Sequence, residues 1–190
     1  MGERQDKSGM KKFLHVGCGP HNPKRTADIF PPAEWEEVRL DIDANVKPDI
    51  VGDITDMAAV AAAEYDALFS SHNLEHLYAH QVPLALAEFF RVLKSGGYAI
   101  IRVPNIQEVA EEVAKGNLEG LLYTAPAGQI AAIDILYGFR PSVAAGNYFM
   151  AHKTAFTPQT LGMKLVSIGF KDVKLRRDSP YGMEAVAYKA

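Results

Sequence analysis

The sequence predicts an α/β fold built on a doubly wound, mainly parallel sheet. Three observations predict it. Short apolar runs of strand length alternate with helix-length segments along most of the chain. The first run, ending in Leu14-His15-Val16, closes in Gly17-Cys18-Gly19-Pro20, whose glycines let the backbone turn sharply and lie close to a ligand. The second run ends in an acid, Asp41, about two dozen residues later, the usual distance for a carboxylate that binds two ribose hydroxyls.

The elements follow in order. Residues 1–11 are polar and aperiodic, which predicts a mobile tail. The first strand covers about Lys12 to Val16. Prolines at 20, 23, 31 and 32 argue against a long helix directly after the glycine turn. Strands are predicted at Val38–Ile42, at Asp49–Val51 ending in Gly52-Asp53, and at Asp66–Ser71, with a short alanine-rich helix over Met57–Glu64. Val82, Leu86, Phe89, Phe90 and Leu93 form one apolar helix face, stopped by Ser95-Gly96-Gly97. Tyr98–Val103 is a central strand. Asn105, with Glu108 three residues on, caps a helix that ends at Lys115-Gly116. Residues 117–156 break the rhythm and read as an inserted lid or substrate segment without strand-helix alternation. Thr157-Pro158 opens a last helix, ended by Gly169, and two strands close the chain at Val173–Arg177 and Ala185–Tyr188.

Size and composition set bounds. The 190 residues suit one domain, and 48% hydrophobic with 23% charged residues is globular. A net charge of -3 gives no general attraction to nucleic acid. The single cysteine, Cys18, cannot form an internal disulfide, which fits a reducing compartment. No signal peptide and no apolar run of spanning length is visible, so the expectation is a soluble, cytoplasmic protein with no membrane partner. Its oligomeric state is left open.

The chemistry rests on the strand ends. Gly17 and Gly19 close the first strand, Asp41 the second, and Asp53 the third, where it can accept from an exocyclic adenine amine. Together, in this order, they favour an adenosine-containing ligand. A dinucleotide wants a third glycine, where Asn22 stands, and no Gly-Lys-Ser/Thr phosphate loop is present. A nucleoside without phosphates, such as S-adenosylmethionine, fits better.

These residues resemble the class I S-adenosylmethionine-dependent methyltransferases, small and of the type 11 kind, over most of residues 12–104 and the closing strands. Gly17-Cys18-Gly19 is similar to the family's glycine motif. Leu40-Asp41-Ile42-Asp43 resembles its ribose-binding strand end, and Val51-Gly52-Asp53-Ile54 its adenine segment. Arg91-Val92-Leu93-Lys94-Ser95-Gly96-Gly97 is close to its Arg-Val-Leu-Lys-Pro-Gly-Gly signature, with Ser95 for proline. The resemblance implies a Rossmann-like sheet with an antiparallel last strand, and S-adenosylmethionine as cofactor with S-adenosylhomocysteine as product. It assigns cofactor contacts to His15, Gly17, Cys18, Gly19, Pro20, Asp41, Ile42, Asp53, Ile54, His72 and Asn73. His15 stands where many members carry an acid, and His21 replaces a common motif glycine. The Asn-Pro-Pro-Tyr signature of amide and adenine N-methylating members is absent, which turns the expectation toward a small-molecule acceptor.

His72-Asn73-Leu74-Glu75-His76 also matches H-x-x-E-H, the inverted zinc-peptidase pattern. In a zinc hydrolase His72 and His76 would be ligands and Glu75 the base, with His72, His76 and His80 spaced for one helix face. The motif follows a strand directly and overlaps the expected cofactor crevice, so the expectation is methyl transfer without a metal. A protein that holds the cofactor without transfer is the other alternative. An acceptor hydroxyl wants a base, for which His72, His76 and His152 are candidates. In the insertion Tyr137, Arg140, Asn147 and Tyr148 are candidate substrate contacts.

Overall fold

The computed structural model describes residues 9–190. Most of the expected N-terminal tail, residues 1–8, lies outside the described residues. The main sheet is built from β1 (Lys11–Val16), β2 (Trp35–Asp41), β3 (Ile50–Val51), β4 (Tyr65–Ser71) and β5 (Leu93–Pro104), completed by two late strands. The helices of this first half and its continuation are α1 (Val82–Val92) and α2 (Ile106–Ala114). A hairpin follows, β6 (Leu121–Ala125) and β7 (Gly128–Ala131), then α3 (Ala132–Tyr137), α4 (Arg140–Ala144) and α5 (Pro158–Ile168). The late strands are β8 (Lys171–Ser179) and β9 (Gly182–Tyr188).

The seven-stranded sheet has the order β3-β2-β1-β4-β5-β9-β8. Its first five strands pair in parallel, and β9 runs antiparallel between β5 and β8. The chain leaves β1 toward β2 on one side and returns to β4 on the other. In open sheets of this kind that reversal leaves a crevice at the carboxyl ends of the two strands.

Strand side chains alternate between faces. Leu14, Val16, Leu68, Ala99 and Ile101 face the larger core, which α1 covers with Val82, Leu86 and Phe89 and α5 with Leu161 and Leu165. Phe13, Ala67, Phe69 and Ile100 face the other way. There the prolines act as expected: the connection to β2 forms only one turn of helix, Pro23–Arg25. Its cover is aromatic. Phe30 stacks on Phe13 with centroids 4.0 Å apart, and Trp35 meets both rings edge-on.

Three local expectations are corrected. Met57–Glu64 is a series of turns, not a helix. So short a segment gains little from helix formation alone. Here Arg91 donates to the carbonyls of Met57 and Val60, while Glu88 accepts from the Met57 amide, which holds the turns instead. α1 ends at Val92, before the glycines, and Leu93 is already extended. Lys189 caps it by donating to the Phe90 and Leu93 carbonyls. Gly96 and Gly97 serve the irregular start of β5, where a side chain on Gly97 would press on the Asp66 and Lys94 carbonyls at 3.0 Å. Finally, residues 117–156 do contain regular structure. The hairpin and α3 pack with α2 around Val109, Ile130, Ala132 and Ile135, a small core of their own.

Candidate functional site

The carboxyl ends of β1, β2 and β4 open into a cleft of about 480 Å³, within the range of small-ligand sites. The glycine turn forms one wall. Gly17 and Gly19 both hold positive φ, 57° and 61°. The Asn73 side chain occupies the space beside Gly17 that a Cβ would need, and its Nδ2 donates to the Val16 carbonyl at 2.9 Å and to Ser70 Oγ at 3.2 Å. That side chain ties the end of β1 to the end of β4.

Asp41 sits at the end of β2 and is nearly buried. Its Oδ2 accepts from the Gly19 amide at 2.8 Å and its Oδ1 from the Asp43 amide at 2.9 Å. Each oxygen keeps a further lone pair. Two arginines brace the turn from behind. Arg39 Nη2 donates to the Gly19 carbonyl at 2.6 Å, and Arg25 Nη1 to the Cys18 carbonyl at 2.8 Å. Neither was foreseen. The one signal was Arg39 itself, a cation in an otherwise apolar strand end that needs buried acceptors.

Gly17, Gly19, Pro20, Asp41, Ile42, Asp53, Ile54, His72 and Asn73 all line the cleft. Ile42 is 50% exposed and presents an apolar surface into it. Asp53 Oδ1 accepts from the amide and hydroxyl of Thr55, both at 2.8 Å. His15 and Cys18 do not line the cleft. His15 points to the opposite face of β1, where its ring packs against Phe69 and Nδ1 lies 2.6 Å from Glu37 Oε1. The alternation of the strand sends it there, because Leu14 and Val16 take the other face. Cys18 is buried, and burial raises its thiol pKa.

The far wall follows β4. His72 holds φ 56°, uncommon outside glycine, and precedes a single turn of helix, Leu74–His76. The three histidines 72, 76 and 80 therefore do not share a helix face, which corrects the spacing argument for an H-x-x-E-H metal site. His72 Nδ1 instead meets Glu75 Oε1 at 3.1 Å, and His80 stacks on Tyr78. Desolvation works against charge on His72, but the hydrogen bond and charge of Glu75 outweigh it and raise its pKa. Burial likewise works against Glu75, yet His72 and the neighbouring imidazoles hold its carboxyl below the ordinary value.

His76 lines the cleft, and His152 packs behind it with ring centroids 4.9 Å apart. His152 is reached through the backbone: the Lys153 and Thr154 amides both donate to the Glu75 carbonyl, at 2.8 and 3.2 Å. Burial lowers the His152 pKa. From the insertion, Asn147 lines the cleft together with Phe149, Met150 and Lys153, three residues the sequence reading passed over. Tyr137 and Tyr148 are instead 67% and 72% exposed and lie outside it. Arg140 also lies outside, with Nε 2.7 Å from Asp134 Oδ1. A buried carboxylate claims that guanidinium before any substrate does.

Residues 14–101 match the family described as a methyltransferase domain. The match takes in a little under half of the chain. The sheet order and the antiparallel β9 agree with it, and so do solved structures of low identity that share the fold. A SAM dependent methyltransferase from Archaeoglobus fulgidus is 17% identical, with 94% of this chain and 86% of that chain covered at a TM-score of 0.60. A possible histamine N-methyltransferase from Thermotoga maritima is 14% identical, with 95% and 82% covered at 0.59. The 1,6-didemethyltoxoflavin-N1-methyltransferase of Burkholderia thailandensis, solved with that compound and S-adenosylhomocysteine, is 15% identical, with 95% and 72% covered at 0.59. No curated protein sequence matches the chain.

The last of these neighbours holds S-adenosylhomocysteine, and the lining of the present cleft suits a nucleoside of that kind. The glycine turn along one wall, a carboxylate at Asp41 and the apolar Ile42 suit a nucleoside. Among the described residues no helix is long and apolar enough to cross a membrane.

Proposed function

We propose that this chain transfers a methyl group from S-adenosylmethionine to a small-molecule acceptor held between the His72–His76 wall and the 147–153 segment. One observation carries the reading. A single cleft brings Gly17, Gly19, Asp41 and Asp53 together with His72, His76 and Asn147. Asp41 would accept from the ribose hydroxyls, and Asp53 from the adenine amine. When bound, the cofactor supplies an electrophilic methyl on a sulfonium, so the protein's task is to align the acceptor and exclude water.

His72 is the residue placed to handle the acceptor's proton. Its Nδ1 faces Glu75, which orients the ring and leaves Nε2 for the cleft. Phe149 and Met150 supply apolar cover for an acceptor, and Asn147 a neutral polar contact. The reading includes a soluble, cytoplasmic setting and no nucleic-acid partner, and the net charge of -3 supports the last of these.

The experiment is calorimetric titration with S-adenosylhomocysteine, followed by assay of its release from S-adenosylmethionine against a panel of small hydroxyl, amine and carboxylate acceptors. Binding and turnover with one acceptor class are expected. Binding with no release against any class would favour a cofactor-holding protein, and no binding of either sulfur nucleoside would sink the reading.

A further inference from the structure

One buried group has no partner in the cleft wall. Among the described residues Glu75 Oε2 is the buried side-chain oxygen with no hydrogen bond. Its residue is 1% exposed, and its other oxygen takes His72. A buried carboxylate oxygen left bare is costly, and native proteins satisfy such atoms with a proton donor, water or a cation.

Among the described residues no donor makes a hydrogen bond to that oxygen, but the residue's neighbours can ligate a cation. One ligand atom each from Glu75, His76 and His152 lies within 4.8 Å of the other two. Both imidazoles are oriented by backbone carbonyls. His76 Nδ1 lies 3.2 Å from the Ala151 oxygen, and His152 Nδ1 lies 2.7 Å from the Ile135 oxygen. A carbonyl only accepts, so in the bonded tautomer each Nδ1 carries the proton and each Nε2 keeps its lone pair. Ligating histidines are commonly held this way, by a second hydrogen bond that fixes tautomer and ring. His72 does the same for the carboxylate.

We propose that Glu75, His76 and His152 bind one divalent transition-metal ion of the zinc and cobalt class. Two imidazoles and one carboxylate suit such ions, whereas magnesium and calcium prefer oxygen alone. This set differs from the peptidase pattern in the sequence: His72 is not a ligand but the group that orients one. The third ligand comes from the insertion, far along the chain. His76 also lines the cleft, so the ion would sit where the cleft meets the insertion. There it can polarise an oxygen or nitrogen of the acceptor, a role that rests on the methyl-transfer reading. Binding of the ion does not rest on it.

The test uses tag-free full chain, stripped with chelator and dialysed. Zinc chloride is titrated by calorimetry, and cobalt chloride is followed by its visible absorption. One ion per chain is expected, with no heat from magnesium chloride at the same concentrations. His76→Ala and His152→Ala should each weaken cobalt binding by at least a hundredfold. Glu75→Gln should abolish stoichiometric binding, and His72→Ala should weaken it by about tenfold while keeping one ion per chain. X-ray absorption of the cobalt-loaded native protein should count two imidazoles, which keeps the question answerable if a variant fails to fold. Neither zinc heat nor cobalt absorption, fewer than two imidazoles, or undiminished binding in a His76→Ala, His152→Ala double variant would overturn the site. S-adenosylhomocysteine titrated into the stripped protein separates the two ideas. Its binding without any metal binding removes only the ion, and metal binding without it removes only the methyl-transfer reading.

Discussion

The side chain of Asn73 fills the volume that a Cβ on Gly17 would occupy. The two residues follow different strands, β1 and β4, and the absence of one side chain is the condition for the other's hydrogen bonds. Asn73 reaches the Val16 carbonyl and Ser70 Oγ only across a bare glycine.

Gly17→Ala should therefore act twice. The methyl displaces Asn73, and φ 57° strains any side chain at this position. A loss of about 2 kcal/mol in chemical denaturation is expected from strain of this kind, with S-adenosylhomocysteine affinity reduced at least tenfold. Pairing it with Asn73→Ala should recover the clash but not the strain, so the double variant should lie above additivity. A Gly17→Ala protein with native stability and affinity would contradict the geometry.

Asp41 has a structural duty as well as a proposed ribose contact, so alanine is the wrong probe. Asp41→Asn keeps an oxygen for one backbone amide but removes the charge. Calorimetry should show S-adenosylhomocysteine binding weaker by roughly 1.5–3 kcal/mol, the range for hydrogen bonds to charged groups. An unchanged affinity would move the ribose partner elsewhere, with Asp43 next along the cleft.

Phe30 replaces the missing crossover helix as cover for β1. Phe30→Ala should cost about 3–5 kcal/mol, the range for emptying a buried aromatic site. Urea unfolding measures it, and a loss under 1 kcal/mol would mean the far face repacks freely.

The pH dependence of the insertion turns on Asp134. Desolvation alone would raise its carboxyl, but hydrogen bonds from Arg140 and the Ala131 amide outweigh it and lower the pKa. A depressed folded pKa contributes stability that is complete above the unfolded value, about 3.9 for aspartate, and is lost as pH falls through the folded one. Acidification below about pH 4 should loosen the segment around Asp134, seen as faster cleavage by an acid-active protease. Asp134→Asn should be cleaved faster already at neutral pH and respond less to acid. An acid response identical to the native chain would assign the effect to other carboxylates.

Much of the frame was legible because its causes are local. Leu14 and Val16 alternate with Phe13 and His15, prolines forbid a helix after the turn, and Asn105 and Thr157 announce their helices by capping chemistry. The same alternation carried a warning that was missed, since it sends His15 away from the cleft. What was not legible depends on long-range partners. Met57–Glu64 has helix composition but answers to Arg91 and Glu88 on another element. The pattern around His72 suggested one helix face, and only the fold shows that His152 joins Glu75 and His76. Arg140 looked available because its partner, Asp134, meets it only once α3 has formed.

Trp35 is the chain's one tryptophan, and it begins the strand that Asp41 ends. Its indole lies on the far side of the sheet, edge-on to Phe30 and Tyr98 and beneath the Lys11 ammonium at 5.4 Å. The molecule thus carries an optical reporter remote from its cleft. Ligands entering the cleft have no direct means of quenching it, so a bound nucleoside leaves native emission unchanged while the melting curve read from that emission moves to higher temperature.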